Sequence, residues 1–114
     1  MAKRTIARFN TAGNIWPVVD AWAKERDYRV KASGDTWRRY QQGVGLMVAP
    51  KLIEVRQEDN TVEVQGWMKW DIWPGTVTIA EKDFGHGFLG TIPRSTGRRD
   101  MNILLAQFGQ PPIA

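Results

Sequence analysis

Thr61-Val62-Glu63-Val64-Gln65-Gly66-Trp67-Met68-Lys69-Trp70-Asp71-Ile72 is the stretch that decides the fold. Apolar and polar residues alternate along it, and a period of two is the signature of a half-buried strand. Val62, Val64, Met68 and Trp70 point inward on this reading. A strand of this length with one apolar face needs a sheet around it and something to cover that face. The same alternation sends Trp67 to the opposite side from Trp70. Trp67, Trp70 and Trp73 stand three apart in a chain with six tryptophans. At least one large aromatic is therefore expected to face away from the main core.

Upstream, Glu58-Asp59-Asn60 reads as a turn. Lys51 to Gln57 and Leu46 to Ala49 read as strand on either side of Pro50, which suits an edge or a bulge. Gln42-Gly43-Val44-Gly45 breaks the pattern. Tyr28 to Ser33 and Thr36 to Gln41 form a hairpin around Gly34-Asp35. Trp37 and Arg39 fall on one face of that hairpin, Arg38 and Tyr40 on the other. Further upstream, Ile15, Val18, Val19 and Trp22 follow at helical spacing. Asn14 is the expected cap, Pro17 lies in the first turn, and the helix stops near Arg26-Asp27. Asp20 and Lys24 form an i,i+4 pair on its wet side. Trp22 belongs to the stripe and reads as core, with Trp16 as a lid beside the helix start. Thr5 to Phe9 is a short strand with Ile6 and Arg8 on one side, Ala7 and Phe9 on the other.

Downstream, Trp73-Pro74-Gly75 turns the chain and Thr76 to Ala80 is the last clear strand. Residues 81–93 read as a loop punctuated by Gly85, Gly87 and Gly90. Ser95 or Thr96 caps a closing helix, along which Met101, Leu104, Leu105 and Phe108 repeat the helical spacing. Gly109 in the left-handed conformation and Pro111-Pro112 stop it.

The order strand, helix, strands, helix predicts one α+β domain over residues 1–114. It is a two-layer structure, with an antiparallel sheet of about five to six strands covered on one face by an N-terminal and a C-terminal helix. The order resembles one repeat of the TATA-binding-protein fold, and helix-grip folds generally, a likeness of topology that assigns no function.

A wider resemblance rests on Arg8-Phe9, Ala12-Gly13-Asn14-Ile15-Trp16-Pro17-Val18-Val19, Ala21-Trp22-Ala23, Arg39-Tyr40-Gln41 and the ending Gln107-Phe108-Gly109-Gln110-Pro111-Pro112-Ile113. Together these resemble a family of small uncharacterised bacterial domains, over most of the chain. The resemblance implies no activity and carries over no functional residue.

Composition narrows the chemistry. The 114 residues suffice for one core without covalent staples. There are no cysteines, which removes disulfides and thiolate metal sites. A single histidine, His86, makes a zinc site implausible, because three or four ligands are needed. No metal and no cofactor are expected. No nucleophile elbow, Walker motif or dinucleotide fingerprint is present. No apolar run approaches a signal peptide or a membrane span. A soluble, cytoplasmic protein is expected. The net charge of +4 is unevenly spread. The two ends are basic and the middle, which holds Glu54, Glu58, Asp59 and Glu63, is mildly acidic. Those acids read as a solvated strand face that pairs with Arg38 or Arg39.

Two candidate sites remain. Trp67, Trp73 and Trp37 could form a contact platform, because tryptophan buries much area at small entropy cost; the competing reading packs them into the core. Ser95-Thr96-Gly97-Arg98-Arg99 could hold an anion at the start of the closing helix, where free amides and the positive dipole end lie; the competing reading is an ordinary capped helix end. The expected function is a small non-catalytic binding module that uses a tryptophan-bearing sheet face for a protein partner, a second copy or an apolar ligand. The alternative is nucleic-acid binding, with Arg and Lys on phosphates and Trp or Tyr on bases. A third reading puts a small apolar ligand between sheet and closing helix, gated by the Gly85–Gly90 loop.

Overall fold

The long strand is β5 (Thr61–Asp71), and both of its sides are used. On one side it pairs antiparallel with β4 (Lys51–Glu58), in the register Val55↔Val64. On the other side it pairs first with β1 (Thr5–Asn10), from Asn10↔Thr61 to Thr5↔Gly66. Where β1 ends, β6 (Thr78–Asp83) takes over the same side of β5, from Trp67↔Asp83 onward. β3 (Trp37–Gln42) pairs β4, and β2 (Arg29–Ser33) pairs β3. The sheet is five strands wide in the order β1-β5-β4-β3-β2, with β6 beside β5 as a sixth. The computed structural model describes residues 4–42, 50–71, 78–84 and 91–113. The expected turn at Trp73-Pro74-Gly75, the strand at 46–49 and the glycine loop with His86 lie outside the described residues.

Helix α1 (Trp16–Glu25) comes between β1 and β2, and α2 (Thr91–Gln107) follows β6. Their apolar residues, Val19 and Trp22 on α1 and Met101, Leu104 and Leu105 on α2, share one core with Phe9, Ile53, Val55, Val62, Val64 and Met68 of the sheet. Every one of those sheet residues sits at an inward position of the period-two pattern. Leu52 and Trp67 sit at the alternate positions; both are buried, yet neither belongs to that core.

Several local expectations shift. Asn14 does serve the first helix, its Oδ1 accepting the Trp16 amide at 3.1 Å, one residue before the formal cap Ile15. Val18 is 37% exposed, and Ala23 takes the stripe position instead. Asp20 ignores Lys24 and pairs with Arg38 of the sheet. The β2–β3 loop is Asp35-Thr36, one residue later than expected, because the Gly34 amide donates to the Trp37 carbonyl at 2.9 Å. Gly34 is needed for space: a Cβ there would lie 2.2 Å from the Trp37 indole nitrogen. Pro50 ends up beside a central strand. It precedes the first residue of β4, where its missing amide breaks no ladder bond, and its carbonyl accepts from Lys69 at 3.1 Å.

The largest correction is at α2, which starts at Thr91, four residues before the expected cap at Ser95. Pro93 falls in its first turn, where no intrahelical amide bond is required.

Phe84 locks α2 to the sheet. Its ring lies between Gly66 of β5 and Gly97 of α2, and a Cβ on either glycine would come within 2.4 Å of it. The Phe84 amide donates to Thr5 Oγ1 at 2.9 Å, and its carbonyl accepts from Arg98 Nη1 at 2.8 Å. The ring is fully buried.

Candidate functional site

Both helices end in the same way, and the first ending builds a site. At the close of α1 the Tyr28 amide donates to the Ala23 carbonyl at 2.7 Å, and the Asp27 amide to Lys24 at 3.3 Å. This is a Schellman closure, with Asp27 at φ 62° in the place usually taken by glycine. Asp tolerates that conformation better than most residues. The closure stacks Tyr28 on Trp22, ring centres 4.9 Å apart, and aims both polar tips at α2. At the end of α2 Gly109, at φ 69°, makes the same closure, as its sequence position foretold.

Those tips meet Asp100, the one acidic residue of the closing helix and only 1% exposed. Its Oδ1 accepts from Arg26 Nε at 3.1 Å and Nη2 at 2.9 Å. Oδ2 accepts from the Tyr28 hydroxyl at 2.8 Å and from Lys51 Nζ at 3.4 Å. The backbone carbonyl of Asp100 accepts from the Trp22 indole at 2.9 Å. Lys51 Nζ also donates to Thr96 Oγ1 at 3.0 Å. Burial holds the Lys51 ammonium below its ordinary pKa, against the opposing pull of Asp100. Burial, and then the Asp100 charge, pushes the Tyr28 hydroxyl far above its ordinary value. The donors saturate the carboxylate, so this network fastens α1, β4 and α2 together and leaves no lone pair for chemistry.

Beside the network a groove of about 560 Å³ opens between α1 and the β2–β3 hairpin. Ala23, Tyr28 and Tyr40 line it from within, and Lys24, Arg29, Val30 and Arg38 line it toward solvent. Asp20 is fixed in it: its Oδ1 accepts the Tyr40 hydroxyl at 2.7 Å and its Oδ2 accepts Arg38 Nη1 at 2.5 Å. Burial opposes ionisation of Asp20, but those two donors outweigh it and hold the carboxyl below its ordinary range. The Arg38 guanidinium also lies 4.6 Å over the Trp16 ring. Val30 is 56% exposed at the groove edge.

The other sheet face carries Trp67 and Trp37, two of the three tryptophans expected to form a platform. Trp67 is 2% exposed. Arg4 stacks 3.7 Å from its ring centre and Arg39 at 5.2 Å, so a flat ligand would have to displace a guanidinium. Arg39 in turn donates through Nε and Nη2 to one oxygen of the buried Glu54, at 3.0 and 2.8 Å. Of the four acids expected on a solvated face, Glu54 alone meets Arg39, and it is buried rather than solvated; Glu63 pairs with Arg8, Glu58 with Arg56, and Arg38 goes to Asp20. Trp37 is half-buried near Arg39 and Arg56. Trp73 lies outside the described residues.

The proposed anion site is not at a helix start. Ser95, Thr96, Gly97, Arg98 and Arg99 lie inside α2, where backbone amides are spent on the helix itself. Gly97 packs on Phe84, Thr96 accepts from Lys51, Arg98 binds the Phe84 carbonyl, and Arg99 is exposed.

Sequence reasoning missed Asp100 and Lys51, yet a signal for them exists. Asp100 lies three residues after Gly97 and four before Leu104, on the buried stripe of α2. Lys51 shares the inward parity of Ile53 and Val55. Opposite charges at two inward positions are the mark of a buried pair.

No family model, no curated protein and no solved structure matches this chain. Among the described residues, no helix is long and apolar enough to cross a membrane.

Proposed function

We propose that this chain is a small non-catalytic binding module, a two-layer domain with both helices on one face of the sheet, whose contact surface is the groove between α1 and the β2–β3 hairpin. The observation that carries the reading is the combination of an open groove of ligand-sized volume with an exposed Val30 at its edge. Tyr40, Asp20 and Arg38 are pre-organised within it by their own hydrogen bonds, which lowers the ordering cost of recognition. Asp100, Asp20 and Glu54 are each held in structural pairs by Arg26 and Lys51, Arg38 and Arg39 respectively, which suits holding a partner better than turning one over. A cysteine-free composition fits work in the cytoplasm.

The groove takes precedence over the tryptophan face because Trp67 is already covered by arginine. Crosslinking in a cell extract tests the choice. The wild-type chain is expected to capture a partner that Val30→Glu loses and Ile6→Glu retains, since Ile6 is also exposed but lies on β1, at the far edge of the sheet from the groove. Equal capture by both variants would sink the groove reading. Nucleic-acid binding is separated by salt: it weakens steeply with ionic strength, whereas contact centred on Val30 persists.

A further inference from the structure

We propose that the outer edge of β2 takes up an extended acidic peptide as an added strand, with one apolar side chain of the peptide resting on Val30 in the groove. This rests on the groove being the contact surface. β2 closes the sheet order, and among the described residues no strand pairs its outer side. A sheet edge offers unpaired N–H and C=O groups, and adding a strand to it is a general mode of peptide recognition.

Edges are commonly guarded by lysine and by bulges, and β2 carries both guards. Lys31 is exposed and is the residue skipped where the β2–β3 register shifts between Val30 and Ala32. These guards select rather than merely exclude. Arg29 and Lys31 would face their own counterparts if two copies met edge to edge, and like charges opposed across strands are unfavourable. Lys24 on the adjoining helix adds a third cation. Of the acids beside them, Asp20 is held by Arg38, which leaves Asp27 in the groove and Asp35 in the hairpin loop against three cations. A partner strand that alternates acidic with apolar residues turns the repulsion into attraction and also covers Val30, the most exposed of the large hydrophobic residues described.

The test uses the full-length, 15N-labelled chain and two short synthetic peptides, one alternating glutamate with valine, the other lysine with valine. The acidic peptide is expected to shift the amide signals of residues 29–33 and slow their hydrogen exchange, while the lysine peptide leaves them unchanged. Lys31→Glu is expected to weaken the acidic peptide about fivefold, with Lys31→Ala giving a smaller loss in the same direction. Shifts at Ala23 and Tyr40 without slowed exchange in β2 would overturn strand addition and keep the groove. No shift at either place, with the partner capture described above also absent, would overturn both. Equal uptake of the two peptides would remove the charge argument and the proposal with it.

Discussion

Asp100 gathers donors from four side chains, three on its carboxyl group and the Trp22 indole on its backbone carbonyl. Its carboxyl group is buried and surrounded by Arg26, Tyr28 and Lys51. A buried ion pair adds little net stability over a well-packed apolar group, but removing one partner strands the others without compensation. Asp100→Asn is therefore expected to cost about 3–5 kcal/mol, read as a drop in the urea midpoint. Tyr28→Phe removes one donor and leaves Arg26 and Lys51 in place on Asp100, and is expected to cost about 1–2 kcal/mol. Gly97→Ala tests a different residue-scale constraint. Alanine favours a helix over glycine by about 1 kcal/mol, but its Cβ would meet the Phe84 ring, which Gly66 blocks from behind. Net destabilisation is expected, and Phe84→Leu in the same chain should recover part of it, giving a non-additive double-mutant cycle.

At the level of elements, what could be read from the sequence was what repeats. β5 was legible because its alternation runs for eleven residues. The stop of α2 was legible because Gly109 has a unique conformational role there. The start of α2 was not: serine and threonine at 95 and 96 imitate a cap, while Pro93, placed within the 81–93 loop, is at home in a first turn. The candidate site was harder still. Which tryptophan face meets solvent depends on where Arg4 and Arg39 lie, and Arg4 and Trp67 are joined only through the β1–β5 register. The groove depends on the Schellman closure at Asp27, which lacks the glycine that would have announced it. An element-scale consequence can be measured there. Asp27→Gly relieves the left-handed strain, and the variant is expected to gain up to about 1 kcal/mol in stability with the groove unchanged.

For the whole molecule, stability should bend at both ends of the pH scale. The Gln65 hydrogen bond, opposed by burial and aided by Arg8, holds the Glu63 carboxyl below its ordinary range, and Asp20 is lowered as well. Groups with depressed folded pKa values contribute above their unfolded pKa, so this part is lost as pH falls below about 4. At the alkaline end burial, then Asp20, raises Tyr40, and Tyr28 is raised too. Their contribution is complete below about pH 10 and lost as pH rises beyond it, where the unfolded chain gives up those protons first. Lys51 works in the opposite sense: its depressed pKa makes its part grow as pH climbs toward about 10. Urea midpoints from about pH 8 to 11 should fall at the top of that range, and the double variant Tyr28→Phe with Tyr40→Phe should flatten the fall.

The strand order has a consequence in time. β2, β3, β4 and β5 are each neighbours of the next in the chain, so they can zip as successive hairpins. β1 must wait for a partner that begins at Thr61, and closing so long a loop is slow. The transition state for folding is therefore expected to hold the β4–β5 hairpin and to lack β1. In a chevron experiment Val55→Ala should chiefly slow folding, whereas Phe9→Leu should chiefly hasten unfolding. On the ribosome the first strand made would then be the last of the five to be seated, and a nascent chain halted before β5 emerges would carry Phe9 bare.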